Sequence, residues 1–176
     1  MEKNWYIAIV TNRSERKVAT ALQSLGYEVY LPIKEETRMW SQGRKRKVES
    51  VVIPAKLFIH TSELGRLQVL NEHVGVLRYM VNISGTPNQY GKRPIAIVPD
   101  HQIEQLKRLL ENATHPVEFS EYNFVRGEKV RIIEGKLYGY EGIVTKDSQG
   151  VHRLHLVIDC LGSFITEIDP VSVEKI

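Results

Sequence analysis

Cysteine is almost missing from this 176-residue chain, and the single Cys160 excludes an internal disulfide and any cysteine-rich zinc site. No apolar run approaches the roughly 18 residues of a membrane-spanning helix. The opening MEKNWYIAIV lacks the apolar stretch of a signal peptide, so a cytoplasmic location is expected. Charge of one sign is not in large excess either: 24 Lys and Arg against 21 Asp and Glu leave a net charge of +3. Any contact with nucleic acid must therefore come from local clustering of basic groups. Gly/Ser-rich tracts are absent and the hydrophobic fraction is an ordinary 42%, so disorder is not expected.

The length suits one medium domain followed by a small one. Trp5 to Val10 reads as a buried strand, and Ser14 as the N-cap of a helix. In that helix Val18, Ala21, Leu22 and Leu25 recur at helical spacing and Gly26 supplies the stop, while Arg13, Arg16 and Lys17 occupy the other side. Tyr27 to Leu31 is a second strand closed by Pro32. Lys34 to Glu49 is polar and basic with Gly43 near its middle, which fits an extended hairpin or a mobile loop. Val51 to His60 reads as a long central strand. Ser62 to His73 places Leu64, Leu67, Leu70 and Val74 at helical spacing, weakened by Gly65, and Val76 to Asn82 is the next strand. Asp100 is the expected N-cap of a last helix with Ile103, Leu106, Leu109 and Leu110 facing inward. No period is visible over 111–120 and Pro116 interrupts it. That stretch is the expected linker between a domain at 1–110 and another at 121–176.

Beyond the linker, KVRIIEGKLYGYEGIV (129–144) joins two β-type runs through a loop with Gly135, Gly139 and Gly142, residues suited to positive φ or close backbone approach. Val, Ile and Tyr dominate this module, so intrinsic preference favours strands over a helical hairpin.

With Gly127 ahead of it and HRLHLVID and SFITEID behind it, this stretch resembles the KOW module of the NusG family of transcription elongation factors. The first half resembles the NusG N-terminal (NGN) domain, through WYIAIV, a basic helix, VIPAKLFIH and HVGVLRYMV in that order. The resemblance covers Trp5 to Ile176 and implies an α+β protein, with an NGN-type α/β sandwich followed by a five-stranded KOW, SH3-like β-barrel. Ala55 and Lys56 stand where the family usually has Gly-Tyr, and Lys136 and Leu137 where it usually has Pro-Phe. These departures are similar to a specialised paralogue of the RfaH kind or to the UpxY-type antiterminators of capsule operons.

The function so implied is transcription antitermination or elongation: binding RNA polymerase and upstream DNA to suppress pausing and termination, for a specific long operon. The implied partners are the clamp helices of the large polymerase subunit, non-template and upstream DNA and, through the KOW domain, a ribosomal small-subunit protein or Rho. A monomer with no cofactor, metal or membrane contact is expected. A ribosome- or RNA-associated KOW-domain binding protein is the alternative.

Three groups of residues are candidates for these contacts. From Arg38 to Glu49, Arg38, Arg44, Lys45, Arg46 and Lys47 set five positive groups against Glu49, with Trp40 among them. Such a cluster releases counterions from phosphates and offers a ring for stacking on unpaired bases. A solvated basic loop is the competing reading, and the resemblance favours DNA. Arg13 and Arg16 are weaker members of the same group. The second group, implied by the resemblance, is Ile9, Phe58, Tyr79 and Ile97, aligned with the family's hydrophobic depression for the clamp helices. Simple core packing is the alternative for each. The third is Leu161, Gly162, Phe164 and Ile165, aligned with the KOW partner contact, with core packing equally open for the larger two.

Enzyme readings fail in turn, and no catalytic residue is assigned. GTPNQYGKR (85–93) has the wrong glycine spacing for a phosphate loop, and Arg93 stands where Ser or Thr belongs. His152 and His155, three apart on an expected strand, point to opposite faces and do not suit a metal. Cys160 has no sequence-local base, and the acids form no pair.

Overall fold

The computed structural model describes residues 2–39, 43–72, 74–121 and 126–176. Its elements run β1 (Asn4–Val10), α1 (Glu15–Ser24), β2 (Glu28–Tyr30), β3 (Ile33–Met39), β4 (Lys45–Val51), β5 (Lys56–Thr61), α2 (Glu63–Asn71), β6 (Val76–Tyr79), β7 (Ile97–Val98) and α3 (Asp100–Asn112). Then follow β8 (Val117–Ser120), β9 (Glu128–Ile132), β10 (Glu141–Lys146), β11 (His152–Ile158), β12 (Gly162–Glu167) and, after a 3-10 turn, β13 (Val173–Lys175). The chain divides into two compact units, Met1–Pro32 with Ile53–Ile103, and Ile33–Val52 with Glu104–Ile176.

In the first unit the sheet order is β2-β5-β1-β6, with β7 also paired to β1. Tyr6, Ala8 and Val10 of β1 join Leu57 and Ile59 of β5, Tyr79, Val18, Ala19 and Leu22 of α1, and Val69 of α2 in one apolar cluster. Each fully buried branched or aromatic side chain of this kind is worth about 1.5–3 kcal/mol. The opposite face is also sealed at Trp5, Ile7, Phe58 and Val98. A sheet buried on both faces explains why β1 reads as a continuous apolar run instead of an alternating one.

Both helices turn slightly different faces inward than their leucine spacing suggests. On α1 the buried residues are Glu15, Val18, Ala19 and Leu22, and Leu25 is an exposed C-cap. On α2 they are Gly65, Arg66 and Val69, and Leu64 and Leu67 are exposed. Gly65 decides this: a Cβ there would lie 2.2 Å from Thr61 Oγ1, so the helix approaches β5 through its glycine. Arg66 then enters the core with its guanidinium 5.6 Å from the Tyr6 ring and 5.2 Å from the Tyr79 ring. Its Nε donates to Glu63 at 3.0 Å, an arrangement that lowers the Glu63 pKa through that hydrogen bond. A buried cation between two π faces is stabilised by their quadrupoles.

The expected single strand from Val51 to His60 is interrupted, with β4 ending at Val51 and β5 beginning at Lys56. Between them Ala55 has φ 57, a conformation favoured by glycine. Its N–H donates to the buried Glu15 carboxylate at 2.7 Å, and its carbonyl accepts from Val10 N at 3.0 Å.

In the second unit β3 and β4 form a separate hairpin, and six strands follow the order β13-β9-β10-β11-β12-β8. β9 to β13 are the five strands of the expected KOW-type sheet. In β9 Val130 and Ile132 are buried while Arg131 is exposed, the alternation of a half-buried strand. The glycine loop serves the two purposes inferred from sequence: Gly139 sits at φ 76, and a Cβ on Gly142 would meet His155 O at 2.9 Å. Residues 117–120, within the stretch expected to be a linker, form β8 on the free edge of β12.

Candidate nucleic-acid interface

The hairpin pairs Ile33 with Val51 at its root and Met39 with Lys45 near its tip. In that register Arg46 lies across from Arg38, and Lys47 across from Thr37, so successive cations of β4 alternate between the two faces. Arg44, Lys45, Arg46 and Lys47 are all exposed. Lys47 Nζ lies 3.3 Å from Glu35 Oε2, and both side chains are mostly exposed. Such a pair is worth under about 1 kcal/mol and exchanges readily for a phosphate. Trp40 lies outside the described residues.

One sequence-neutral feature anchors this hairpin. Lys34 Nζ donates to Leu110 O at 3.0 Å and to Ala113 O at 2.9 Å, carbonyls at the C-terminal end of α3. Burial lowers the Lys34 pKa. An ammonium at a helix C-terminus satisfies orphan carbonyls and meets the negative end of the dipole. Nothing in the sequence singled Lys34 out from its basic neighbours.

Arg13 and Arg16 belong to the first unit. Arg13 is exposed at φ 67 in the turn before α1, and Arg16 is exposed on the first turn of that helix.

The four apolar candidates do not form one groove. Tyr79 pairs with Ala8 and joins the helix-side cluster, and Ile97 pairs with Tyr6 on that same side. Phe58 pairs with Ile7, and Ile9 with Lys56, which places them on the other side. Phe58 and Tyr79 are 1% and 4% exposed, core residues, and burial raises the Tyr79 pKa. Ile97, at 47%, is exposed and Ile9 is half-buried. Strand register sends alternate side chains to opposite faces, and that register is invisible in a list of apolar positions.

The KOW candidates are similarly covered. Leu161 and Phe164 are buried, Gly162 is buried, and Ile165 is half-buried. Phe164 pairs with Phe119 of β8, their ring centroids 5.3 Å apart. Of the two histidines, His155 is buried with Nε2 2.9 Å from Thr145 Oγ1, and burial, helped by Arg153, lowers its pKa. Among the described residues no group of three His, Cys, Asp or Glu is placed to hold a metal ion. The 85–93 loop folds on itself, with Arg93 Nη1 donating to the Gly85 carbonyl at 3.0 Å.

Comparison with known proteins places this architecture. The family model described as NusG, transcription termination factor nusG, matches residues 3–107. The chain belongs to the NusG family. Proteins named transcription termination/antitermination protein NusG are similar along nearly the whole length. One from Thermus thermophilus is 27% identical, covering 86% of this chain and 81% of its own. One from Borreliella burgdorferi is 26% identical over the full length of both. A solved structure described as "Domain interaction in Thermotoga maritima NusG" shares the fold, with a TM-score of 0.53 at 19% identity, covering 100% of this chain and 98% of that one. No helix among the described residues is long and apolar enough to cross a membrane.

Proposed function

We propose that this protein is a transcription elongation and antitermination factor that binds RNA polymerase and the DNA beside it. The exposed cation cluster Arg44–Lys47 on a family-shared scaffold is the observation that carries this reading. The hairpin would hold non-template or upstream DNA, with Arg38, Arg13 and Arg16 as further cations. The N-terminal unit would dock on the clamp helices of the large polymerase subunit. Of the four apolar candidates, Ile9 and Ile97 keep exposed surface, on opposite faces of the sheet, so that contact would use only one of them. The KOW module would engage a ribosomal small-subunit protein or Rho through β12. Substitutions at Ala55, Lys56, Lys136 and Leu137 favour a specialised factor serving a particular long operon over the housekeeping one.

No bond is made or broken in this scheme. Binding free energy spent on the elongating conformation of polymerase shifts the population away from the paused one. A reconstituted transcription assay tests it: the protein should raise read-through of a pause or terminator. Reversing all four charges, R44E, K45E, R46E and K47E, should abolish that effect and leave the circular dichroism spectrum unchanged. Undiminished read-through in the variant would remove the DNA role.

A further inference from the structure

β8 covers the outer edge of β12, the strand that carries Gly162, Phe164 and Ile165. It adds to β12 in an antiparallel register, Ser163 with Ser120, Phe164 with Phe119, Ile165 with Glu118 and Thr166 with Val117. Fit at this seam is close. A Cβ on Gly162 would lie 2.2 Å from Ser120 O and 2.9 Å from the Phe119 ring, so only glycine admits the strand there. Thr166 Oγ1 donates to Pro116 O at 3.1 Å, and Val117 is buried. Yet β8 is a four-residue strand with, among the described residues, one strand neighbour, outside the five-strand run β13-β9-β10-β11-β12. Its release breaks no pairing among those five. Terminal short strands are the low-stability end of a sheet, whereas an uncovered edge presents free N–H and C=O groups to any passing strand.

We infer that β8 is a resident stand-in for a protein partner. It keeps the β12 edge closed until an extended segment, with a branched apolar residue and an aromatic one two positions on, takes its place. Val117 and Phe119 are the pattern that such a segment would copy. This rests on the reading of Leu161, Gly162, Phe164 and Ile165 as the partner contact. Strand addition supplies main-chain hydrogen bonds and side-chain pockets at alternate positions, which is how β-augmentation selects its ligand. Keeping the edge shut lowers apparent affinity by the fraction of molecules that are open.

The test locks and unlocks β8 in the full chain. Glu118 and Ile165 face each other across the register, so E118C with I165C, in a C160S background, should bridge on oxidation. In the reduced form β8 amides should exchange with solvent faster than those of β10 and β11, and oxidation should slow them about tenfold. Purified small ribosomal subunits and Rho, used as probes, should bind the oxidised form about tenfold more weakly than the reduced form of the same variant. F119A, which loosens β8 by removing its ring from Phe164 and leaves every residue of β12 unsubstituted, should bind more tightly than the parent. Equal binding by the two redox forms overturns the inference and spares the partner reading, as does β8 exchange that occurs only with unfolding of the whole barrel. Binding by neither the parent nor F119A, both of which keep Ile165, with exchange behaving as expected, removes the partner reading and leaves β8 a displaceable strand. Strand exchange between copies, seen as a dimer of F119A on size exclusion, would replace the partner with a second copy and overturn the inference.

Discussion

The β3–β4 hairpin holds Arg44 through Lys47 out in solvent, whereas β12 keeps Gly162 and Phe164 beneath a strand of its own chain. The difference follows from the two kinds of force involved. Charge acts at a distance and costs little to expose, since water solvates it and salt alone tunes it. An open strand edge acts only at contact and invites any other edge, so it has to be covered when idle. If the hairpin takes phosphates and β12 a strand, as proposed, the first surface can be left bare and the second cannot.

The sharpest way to break this contrast is to titrate it with salt. If the four cations Arg44, Lys45, Arg46 and Lys47 near the hairpin tip meet four phosphates of a single strand, affinity for single-stranded DNA should drop roughly fifty-fold between 50 and 200 mM salt. Replacing them with glutamine should flatten the slope of log K against log salt by about 3. An unchanged slope would show that the cations stay solvated and that the contrast is empty.

Next in size is Lys34. K34M removes two charge-assisted hydrogen bonds to the end of α3 and should cost about 1–2 kcal/mol. Urea unfolding would read this loss. Amide exchange should show it concentrated in β3 and β4, with β8 protection unchanged. A loss spread evenly across the second unit would mean that the hairpin is not anchored as a separate element.

Acid should reach the covered barrel through His155, whose folded-state pKa is lowered by burial. The unfolded chain therefore takes up the proton first. Stability is full above about pH 6.5 and is lost as pH falls through the lowered folded value, at no more than about 1.4 kcal/mol per pH unit. Unfolding midpoints at pH 7.5 and 5.5 should converge more in H155Q than in the parent.

The smallest change lies outside both regions and serves as a yardstick. A55G replaces an alanine held at φ 57 with a residue that adopts it freely. The gain should be about 0.5–1 kcal/mol, less than the full left-handed cost because glycine is also freer in the unfolded chain. A rise of about 1–4 °C in melting temperature would register it, and a fall would show that the alanine methyl packs usefully.

Much of the fold was legible where neighbours in sequence suffice. The glycine loop at 135–142, the alternation in β9 and a helix beginning at about Asp100 follow from spacing and turn chemistry, whereas the basic stretch 34–49 was open between a hairpin and a mobile loop until β3 and β4 paired. What failed was any inference about which neighbour a face would meet. Leu64 and Leu67 have helical spacing yet are exposed, because Gly65 lets α2 settle on a different face. Ile9, Phe58, Tyr79 and Ile97 are all apolar, and strand register splits them between two sides. β8 carried a weak signal in the alternation Val-Glu-Phe-Ser, masked by Pro116 just before it.

From the residues themselves came strands, helices, a small β-barrel and a cluster of cations, because glycine conformation, side-chain period and charge are properties of adjacent residues; the class of the molecule and its two modules came from the resemblance of those blocks to a known family. The closed edge at β12, the split of the apolar set and the Lys34 anchor were decided only when distant segments met. Each depends on a register or a cap formed by residues tens of positions apart, and no local pattern encodes that meeting.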